Sequence, residues 1–313
     1  MKLIIQIPCH NEEQTLPQVL QDIPLEIPGI DTIETQIIDD GSSDGTVATA
    51  RAHGVTHIIS YIGHKGLATA FKHGLNHALE QGADILVNTD GDNQYRSSDI
   101  PRLVEPIVSH QADIVIGDRG VTLNTHFSGL KRFLQWFGSR VTAGLAGAAI
   151  PDAVSGFRAY NRTAMREINV VSEFSYVLDT TVQASKKRLS IHHVPIQTNA
   201  ATRPSRLFKS MLEHIKRSGA DLIRIYSLYE PFKVFLCLAL LFILIGTYPL
   251  VRFVYFYLAE GGSGHIQSLI FGAICYVIGF QFLGMGILGE HMRINRKLIE
   301  DILLRQKEDR ETQ

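Results

Sequence analysis

Two aspartates stand two positions apart in the segment TDGDNQY, residues 89–95, directly after a short apolar run that predicts a β-strand. Asp90 and Asp92 offer hard oxygen ligands, and Mg²⁺ or Mn²⁺ usually binds through one or two such carboxylates together with phosphate oxygens of a substrate. Asp and Gly are also common in turns, so the pair alone does not distinguish a site from a turn. Its place at a strand end favours a site for a divalent cation and a phosphate group.

A second acidic pair occurs in IIDDGSSDGT, residues 37–46. Asp39 and Asp40 end another apolar strand. Gly41 then allows a tight turn, and Asp44 is placed to cap the helix that follows. A plain strand–turn–helix connection explains the glycine and the cap, but it does not explain two acids at the strand end. An acid there can accept hydrogen bonds from a base or a ribose, as in other nucleotide-binding folds.

Short β-branched runs alternate with helical stretches through the first half of the chain. The alternation predicts a mostly parallel sheet covered by helices on both faces, in which ligands bind outside the carboxyl ends of the strands. The polar clusters at 10–13, 39–44 and 90–94 follow the first, second and fourth strands, so we expect them to meet at one edge. The predicted strands are Leu3–Pro8, Thr35–Asp39, Thr56–Ser60, Asp84–Thr89 and Asp113–Gly117, and the predicted helices are Glu13–Gln21, Gly45–His53, Gly66–Gln81 and Ser98–His110.

Two long apolar segments in the last third of the chain predict a membrane hairpin. From 232 to 258 only two residues are charged, and from 266 to 289 none is. A helix of 24 residues is about 36 Å long, enough to cross a hydrocarbon core of roughly 30 Å. The pattern excludes both a fully soluble chain and a polytopic transporter. Gly272, Gly279 and Gly286 form a stripe of small residues that predicts close packing of the two helices.

A basic amphipathic stretch, residues 204–231, joins the soluble part to the hairpin. Its Lys and Arg residues alternate with large apolar residues, which is typical of helices on an anionic membrane surface; an ordinary surface helix is the alternative. Lys and Arg flank both outer ends of the hairpin, while residues 259–265 contain neither. The positive-inside rule then places the soluble part and the charged tail, 291–313, on the cytoplasmic side.

Charge, cysteine content and histidine spacing argue against a nucleic-acid-binding protein, a disulfide framework and a zinc site. Thirty Lys and Arg against 31 Asp and Glu give a net charge of −1, so no basic excess points to nucleic acid. Cys9, Cys237 and Cys275 lack the spacing of a zinc site or a disulfide framework. His73 and His77 are spaced as on one helix face, but the glutamate of a zinc-protease motif is missing. Zinc is therefore not expected.

Four motifs in order carry a family resemblance: IPCHNEE, DDGSSDGT, DGDNQ and DAVSGFRAYNR at 152–162. Together they resemble family 2 glycosyltransferases with the GT-A fold, and more narrowly the polyprenyl-phosphate sugar transferases of the dolichyl-phosphate mannose synthase group. The likeness extends to GILGEHMRI at 286–294. It implies an α/β, Rossmann-like GT-A catalytic domain over 1–203. Together with the apolar and charge patterns described above, the expected organisation continues with interface helices over 204–231, a two-helix transmembrane hairpin over 232–290 and a cytoplasmic tail over 291–313.

The resemblance also implies roles for single residues. Asp92 and Arg119 would act in catalysis near the diphosphate, and Asp90 and Asp92 would bind Mg²⁺ or Mn²⁺. We also expect Asp152 to act as a polar orienter or a weak base, with a helix or turn cap as the alternative. The residues implied to bind the nucleotide sugar are Pro8, Asn11, Glu12, Asp39, Asp40, Asp90, Gln94, Arg203 and Lys209. Asp152 and the stretch Ser155–Arg158 would shape the acceptor side, with Ser155 and Arg158 expected at the acceptor phosphate.

Cations must also hold the phosphate of the acceptor. Lys131, Arg132 and Arg140 lie on the predicted helix LKRFLQWFGSR and are candidates, with a solvated helix face as the alternative. A lipid phosphate is largely ionised at neutral pH, so it can attack an anomeric carbon without a strong base. The site must then supply positioning and relieve the charge of the departing nucleotide diphosphate.

The expected reaction is inverting transfer of one hexose from a UDP- or GDP-sugar to undecaprenyl or dolichyl phosphate. One alternative is a family 2 enzyme that glycosylates another lipid or a polysaccharide, although the Q-x-x-R-W motif of processive synthases is absent. The other is an inactive scaffold that binds a nucleotide sugar. A homo-oligomer is expected from the resemblance alone.

Overall fold

The computed structural model describes residues 1–120, 152, 155–170, 176–199, 220, 224, 226–261 and 266–312. By their contacts the residues form two compact units, Met1–Asp221 with Leu304–Gln313, and Leu222–Leu303. Five of the residues expected to bind substrates lie outside the described residues, as does most of the stretch 204–231. These five are Lys131, Arg132, Arg140, Arg203 and Lys209.

The first unit is built on a seven-stranded sheet with the order β3-β2-β1-β4-β6-β5-β7. The strand β6 runs antiparallel to both its neighbours, β4 and β5, and the other pairings are parallel. The prediction of a mostly parallel α/β sheet is therefore confirmed. The strands are β1 Lys2–Cys9, β2 Thr32–Asp39, β3 His57–Ser60, β4 Ile85–Asn88, β5 Ile114–Asp118, β6 Arg158–Asn161 and β7 Ile191–Pro195.

Helices cover both faces of this sheet because alternate strand residues point to opposite sides. Leu3, Ile5 and Ile7 pack in one core with α1, α2 and α4, and Ile4 packs in the other core with α3, α5 and α6. The first helix begins three residues later than predicted. The helices are α1 Leu16–Gln21, α2 Thr46–Ala52, α3 Leu67–Glu80, α4 Ile100–Val108, α5 Arg162–Glu167 and α6 Tyr176–Lys186.

The second unit contains the helix α7, Pro231–Glu260, and most of the helix α8, Ile266–Thr312. Their most apolar 18-residue windows have mean hydropathies of 2.6 and 1.9, and only 17% and 22% of those windows is buried. The core helix of a soluble protein would be mostly buried, so both helices have the length and surface of membrane spans. The charged tail continues α8 without a break.

The two helices pack antiparallel along the predicted glycine stripe. A Cβ built on Gly279 would lie 2.9 Å from Ile243 Cγ1, and one built on Gly272 would lie 2.7 Å from Leu250 Cγ. Nearer the start of α7, Gly286 faces Phe235 in the same way. The prediction that these glycines permit close packing is confirmed, since a larger side chain has no room at Gly272 or Gly279.

Candidate active site

Three loops at the carboxyl edge of the sheet are fastened to one another by side chains. Asn11, after β1, accepts a hydrogen bond from the N–H of Ser43, after β2, at 2.8 Å. The hydroxyl of Thr15 lies within hydrogen-bond distance of two acceptors, a carboxylate oxygen of Glu12 at 2.9 Å and the carbonyl of Gly91, after β4, at 2.7 Å. The predicted meeting of the three polar clusters at one edge is confirmed. The expected nucleotide residues found in these loops and strand ends are Pro8, Asn11, Glu12, Asp39, Asp40, Asp90 and Gln94.

The acidic pair around the end of β2 is buried and bonded to the neighbouring loops. Asp39 accepts a hydrogen bond from the N–H of Ser42 at 3.0 Å. The carboxylate of Asp40 accepts from the N–H groups of Lys65 at 2.6 Å and Gly66 at 2.9 Å, immediately before α3. Asp40 therefore holds the loop that leads into α3, a role that the sequence did not indicate.

Two histidines lie beside Asp40. Nδ1 of His64 is 2.8 Å from its carboxylate, and Nδ1 of His10 is 2.8 Å from its carbonyl oxygen. The two imidazole rings are 4.6 Å apart, and the ammonium of Lys65 lies 4.8 Å from the ring centroid of Tyr61. Burial and the charge of Asp40 raise the pKa of Tyr61 to about 12, so its phenol stays neutral. Sequence reasoning assigned no role to these rings, which border the expected nucleotide loops.

Asp90 and Asp92 contact different neighbours. Asp92 accepts hydrogen bonds from the N–H of Gln94 at 3.1 Å and from its side-chain amide at 2.7 Å. Asp90 lies against Gly156, since a Cβ built on that glycine would be 3.4 and 3.5 Å from its two carboxylate oxygens. Burial, and then the charge of Asp92, raises the pKa of Asp90 to about 7, although the charge of Arg119 lowers it. Asp90 is thus a buried acid whose anionic form lacks sufficient compensation.

A divalent cation fits this pair of carboxylates. It would offset the negative charge of the buried Asp90 and of Asp92 beside it, and carboxylate oxygens suit Mg²⁺ or Mn²⁺. Within the described ranges, no three or more His, Cys, Asp or Glu side chains are grouped so as to hold a metal ion. Mg²⁺ usually binds through one or two carboxylates, with phosphate oxygens and water as its other ligands.

Arg119 and Asp152 form a two-pronged ion pair. The Nε and Nη2 atoms of Arg119 lie 2.7 and 2.9 Å from the two oxygens of Asp152, which is almost fully buried. Burial lowers the pKa of Arg119, but the hydrogen bonds that it donates to Asp152 and the neighbouring charges outweigh burial and raise that pKa. Both carboxylate oxygens of Asp152 accept hydrogen bonds from Arg119, so the geometry fits an orienting role for Asp152 better than proton abstraction.

The segment after Asp152 departs from expectation. Arg158 begins β6 and is 1% exposed. Its guanidinium donates to the carbonyl of Ser155 at 2.7 Å, to the carbonyl of Val177 at 3.0 Å and to the hydroxyl of Thr181 at 2.8 Å. These bonds satisfy a buried cation inside the protein, so Arg158 is not placed to bind an acceptor phosphate, and that expectation is corrected. Ser155 is also fully buried.

A further segment, residues 197–199, lies against the TDGDNQY loop, which sequence reasoning missed. The N–H of Asn199 donates to the carbonyl of Gln94 at 2.9 Å. The side chain of Arg96 donates to Asn199 at 3.0 Å, and Tyr95 forms an isolated β-bridge with Thr198. Position 199 is therefore fixed beside Asp92 and its neighbours.

Comparison with known proteins identifies the family and the fold of the chain. The model of glycosyl transferase family 2 matches residues 4–168, more than half of the chain. An undecaprenyl-phosphate mannosyltransferase of Micrococcus luteus is 29% identical over 208 residues, 63% of this chain and 83% of that protein. A polyprenol monophosphomannose synthase of Mycolicibacterium smegmatis is 27% identical over 206 residues, 62% and 76% of the two chains. A UDP-N-acetylglucosamine–dolichyl-phosphate N-acetylglucosaminyltransferase of Methanococcus voltae is 28% identical over 214 residues, 61% and 83%.

Among solved structures, glucosyl-3-phosphoglycerate synthase of Mycobacterium tuberculosis, crystallised with Mn²⁺, UDP and glucosyl-3-phosphoglycerate, superposes with a TM-score of 0.54. The match covers 72% of this chain and 78% of that one, at 20% identity. A likeness at this identity concerns the fold, which is GT-A. The sheet edge, its acidic loops and the matched family model lead to one conclusion: the chain belongs to glycosyl transferase family 2.

Proposed function

We propose that the chain transfers a single hexose from a UDP- or GDP-linked sugar to the phosphate of a polyprenyl lipid. The observation that carries the proposal is the combination of a sheet edge centred on Asp90 and Asp92 with two helices apolar enough to cross a membrane. The relatives act, by their names, on undecaprenyl, polyprenol or dolichyl phosphate. Such a reaction needs a site for a nucleotide diphosphate and an attachment to the membrane, and the chain contains elements for both.

The donor would bind at the loops after β1, β2 and β4. Asp90 and Asp92 would hold Mg²⁺ or Mn²⁺, which offsets negative charge on the departing diphosphate. Arg119 adds a fixed positive charge, because Asp152 holds its guanidinium in a two-pronged pair. Support for the metal comes from the buried acid Asp90 and from the Mn²⁺ and UDP present in the M. tuberculosis enzyme of similar fold.

The chemical step needs little proton transfer. An ionised oxygen of the lipid phosphate forms a bond to the anomeric carbon, and the bond from that carbon to the diphosphate oxygen breaks. The nucleotide diphosphate leaves with the electron pair, and attack in line from the opposite side inverts the anomeric centre. The protein's contribution is positioning and charge, which suits Asp152 as an orienter of Arg119.

Further cations complete the proposal at residues outside the described ranges. Lys131, Arg132 and Arg140 would bind the acceptor phosphate. Arg203 and Lys209 would bind the donor. In support, Asn199 is bonded to Gln94 beside Asp92, and the four residues from there to Arg203 span at most about 14 Å of extended chain.

The hairpin would hold the catalytic unit at the cytoplasmic face of the membrane. Basic residues flank α7 and the apolar part of α8 at their outer ends, whereas residues 259–265 contain neither Lys nor Arg. That asymmetry supports a cytoplasmic catalytic unit and tail. A polyprenyl phosphate would then present its charged head at the surface where the nucleotide sugar is dissolved.

The test is transfer by the detergent-purified full chain with Mg²⁺ or Mn²⁺. A panel of labelled UDP- and GDP-sugars is offered with and without polyprenyl phosphate, and label in the organic phase is counted. We expect lipid-dependent transfer from one donor, lost on chelation of the metal and restored by adding it back. An Asp22→Asn variant, changed at an exposed acid, serves as the matched control.

Each alternative has its own result in this assay. Without added polyprenyl phosphate, label could enter the organic phase only by transfer to a co-purified lipid. Identification of that labelled lipid as another kind of lipid would indicate a different acceptor. Nucleotide binding without transfer from any donor would reject the proposed reaction and favour a nucleotide-sugar-binding scaffold.

A further inference from the structure

Three amide side chains lie side by side in a sheet interior that is otherwise mostly apolar. Gln36, Gln6 and Asn88 belong to the neighbouring strands β2, β1 and β4, and the register pairs Gln6 with both of the others. All three are fully buried. Central strands of a parallel sheet are normally filled with Val, Ile and Leu, so three amides, here called the amide row, need a reason.

The row is hydrogen bonded along its length. Gln36 Nε2 donates to Gln6 Oε1 at 3.3 Å, and Gln6 Nε2 donates to Asn88 Oδ1 at 3.0 Å. Gln36 Nε2 also donates to the carbonyl of Gly74 in α3 at 2.9 Å. A Cβ at Gly74 would be 2.2 Å from Gln6 Oε1, so only glycine lets α3 approach this closely. His77 Nδ1 donates to Gln36 Oε1 at 2.6 Å, at the end far from the candidate site.

The other end of the row reaches the candidate site. Asn88 Nδ2 donates to the carbonyl of Gly156 at 3.0 Å and to the hydroxyl of Tyr176 at 3.0 Å. The N–H of Gly156 donates to the hydroxyl of Tyr95 at 3.1 Å. Side chains therefore bond to both the carbonyl and the N–H of Gly156. Asp90 lies close to Gly156, because a Cβ built on that glycine would contact its carboxylate.

A purely structural role does not require this arrangement. Buried amides cost stability unless every group is bonded, and apolar residues of similar size fill such a layer without that cost. The bonds of Asn88 instead connect the strand that leads into Asp90 with the segment that follows Asp152. The first of these segments leads into the carboxylates proposed for the metal. The second follows Asp152, the partner of Arg119.

We propose that Asn88 is a positioning residue that sets, through the carbonyl of Gly156, where residues 155–157 lie relative to Asp90. Loss of its two donated bonds lets this segment shift, while the nucleotide loops after β1 and β2 keep their own contacts. The kinetic part of this inference rests on the proposed function. The structural part does not, because it concerns the order of a backbone segment.

The experiment compares two swaps of an amide for an acid within the same buried row. Asn88→Asp replaces the donating amide group at the site end, and Gln36→Glu makes the same change at the far end. We expect Asn88→Asp to lower kcat about 100-fold with little change in affinity for Mn²⁺ and nucleoside diphosphate, since small misplacements in an active site cost this much. Gln36→Glu should lower thermal stability similarly and kcat far less. Tyr95→Phe, which adds no charge, should lower kcat to an intermediate extent.

Hydrogen–deuterium exchange of the same full-length proteins gives a readout independent of transfer. Peptides covering residues 155–157 should exchange faster in Asn88→Asp than in the wild type and in Gln36→Glu. Equal exchange of these peptides in both variants, or equal loss of kcat in both, would overturn the inference. If the wild type transfers no sugar to polyprenyl phosphate, the proposed function fails and the exchange comparison still decides the positioning role.

Discussion

On the proposed nucleotide side of the candidate site, formed by the loops after β1, β2 and β4, side chains tie one loop to the next. On the Gly156 side, residues 155–157, the side chains that hold the backbone come from β4 and from the loop that follows it. Asn11 and Thr15 bond to backbone groups of the neighbouring loops. Gly156 is held by Asn88 from β4 and by Tyr95 from the loop beyond it. The first side is a set of loops fastened to one another, and the second is a backbone segment fixed to the core. This difference predicts that changes on the two sides reduce transfer to different extents.

The largest expected effect is on the nucleotide side. Asp92→Asn removes one of two carboxylates proposed for the cation, and we expect transfer to fall by about 1,000-fold or more. Asn keeps the shape of the side chain and Asp92 lies in a loop, so the melting temperature should change little. Transfer of label to the organic phase and a thermal scan measure the two quantities. Unchanged turnover in this variant would remove Asp92 from the cation site.

The next largest effect is expected at the ion pair of Arg119 and Asp152. Asp152→Asn leaves Arg119 with half of its two-pronged partner, and Arg119→Lys keeps the charge but loses the fork. We expect each variant to lower kcat about 100-fold, with a small change in KM for the lipid, because Arg119 is proposed to act on the diphosphate and not on the acceptor. A steep rise in lipid KM at constant kcat would instead assign the pair to the acceptor.

The two sides also differ in how much of each could be predicted from the sequence. The motifs of the nucleotide side are local: the acids of TDGDNQY and IIDDGSSDGT lie within a few positions of one another, next to strands with continuous apolar runs. The predicted strands β1 to β5 and the meeting of the loops followed from these patterns. Asp40 shows the limit, since its carboxylate is used to hold the backbone before α3 and no local pattern indicates that.

The Gly156 side could not be predicted because its contacts are distant in sequence. Asn88 and Tyr95 are 68 and 61 positions from Gly156. The strand β6 has four residues and is defined by pairing with β4 and β5. The family resemblance implied that Arg158 lies at the acceptor phosphate. The hydroxyl groups that satisfy its charge lie 22 and 23 positions later, in α6.

A moderate effect is expected at Gly156 itself. In Gly156→Ala the new Cβ would be 3.0 Å from the hydroxyl of Tyr176 and close to Asp90, so one of these groups must move. We expect kcat to fall about 10-fold. Removing the hydroxyl in the double variant with Tyr176→Phe should restore part of the loss, since it relieves the closest contact. If the double variant is as slow as the product of the two single effects, the two positions act independently.

The smallest effect concerns the far end of the amide row. Burial, and then the charge of His57, lowers the pKa of His77, so the folded chain binds a proton there less readily than the unfolded chain, whose histidines titrate near 6.5. The unfolded state therefore takes up more protons below about pH 6.5, and stability falls as pH falls through that value. We expect the apparent melting temperature to drop between pH 7.5 and 5.5, and His77→Gln to reduce that drop by about 2–4 °C. His73→Gln, an exposed change on the same helix, should leave the drop as in the wild type. An equal reduction in both variants would mean that exposed histidines, and not the end of the amide row, set the dependence on pH.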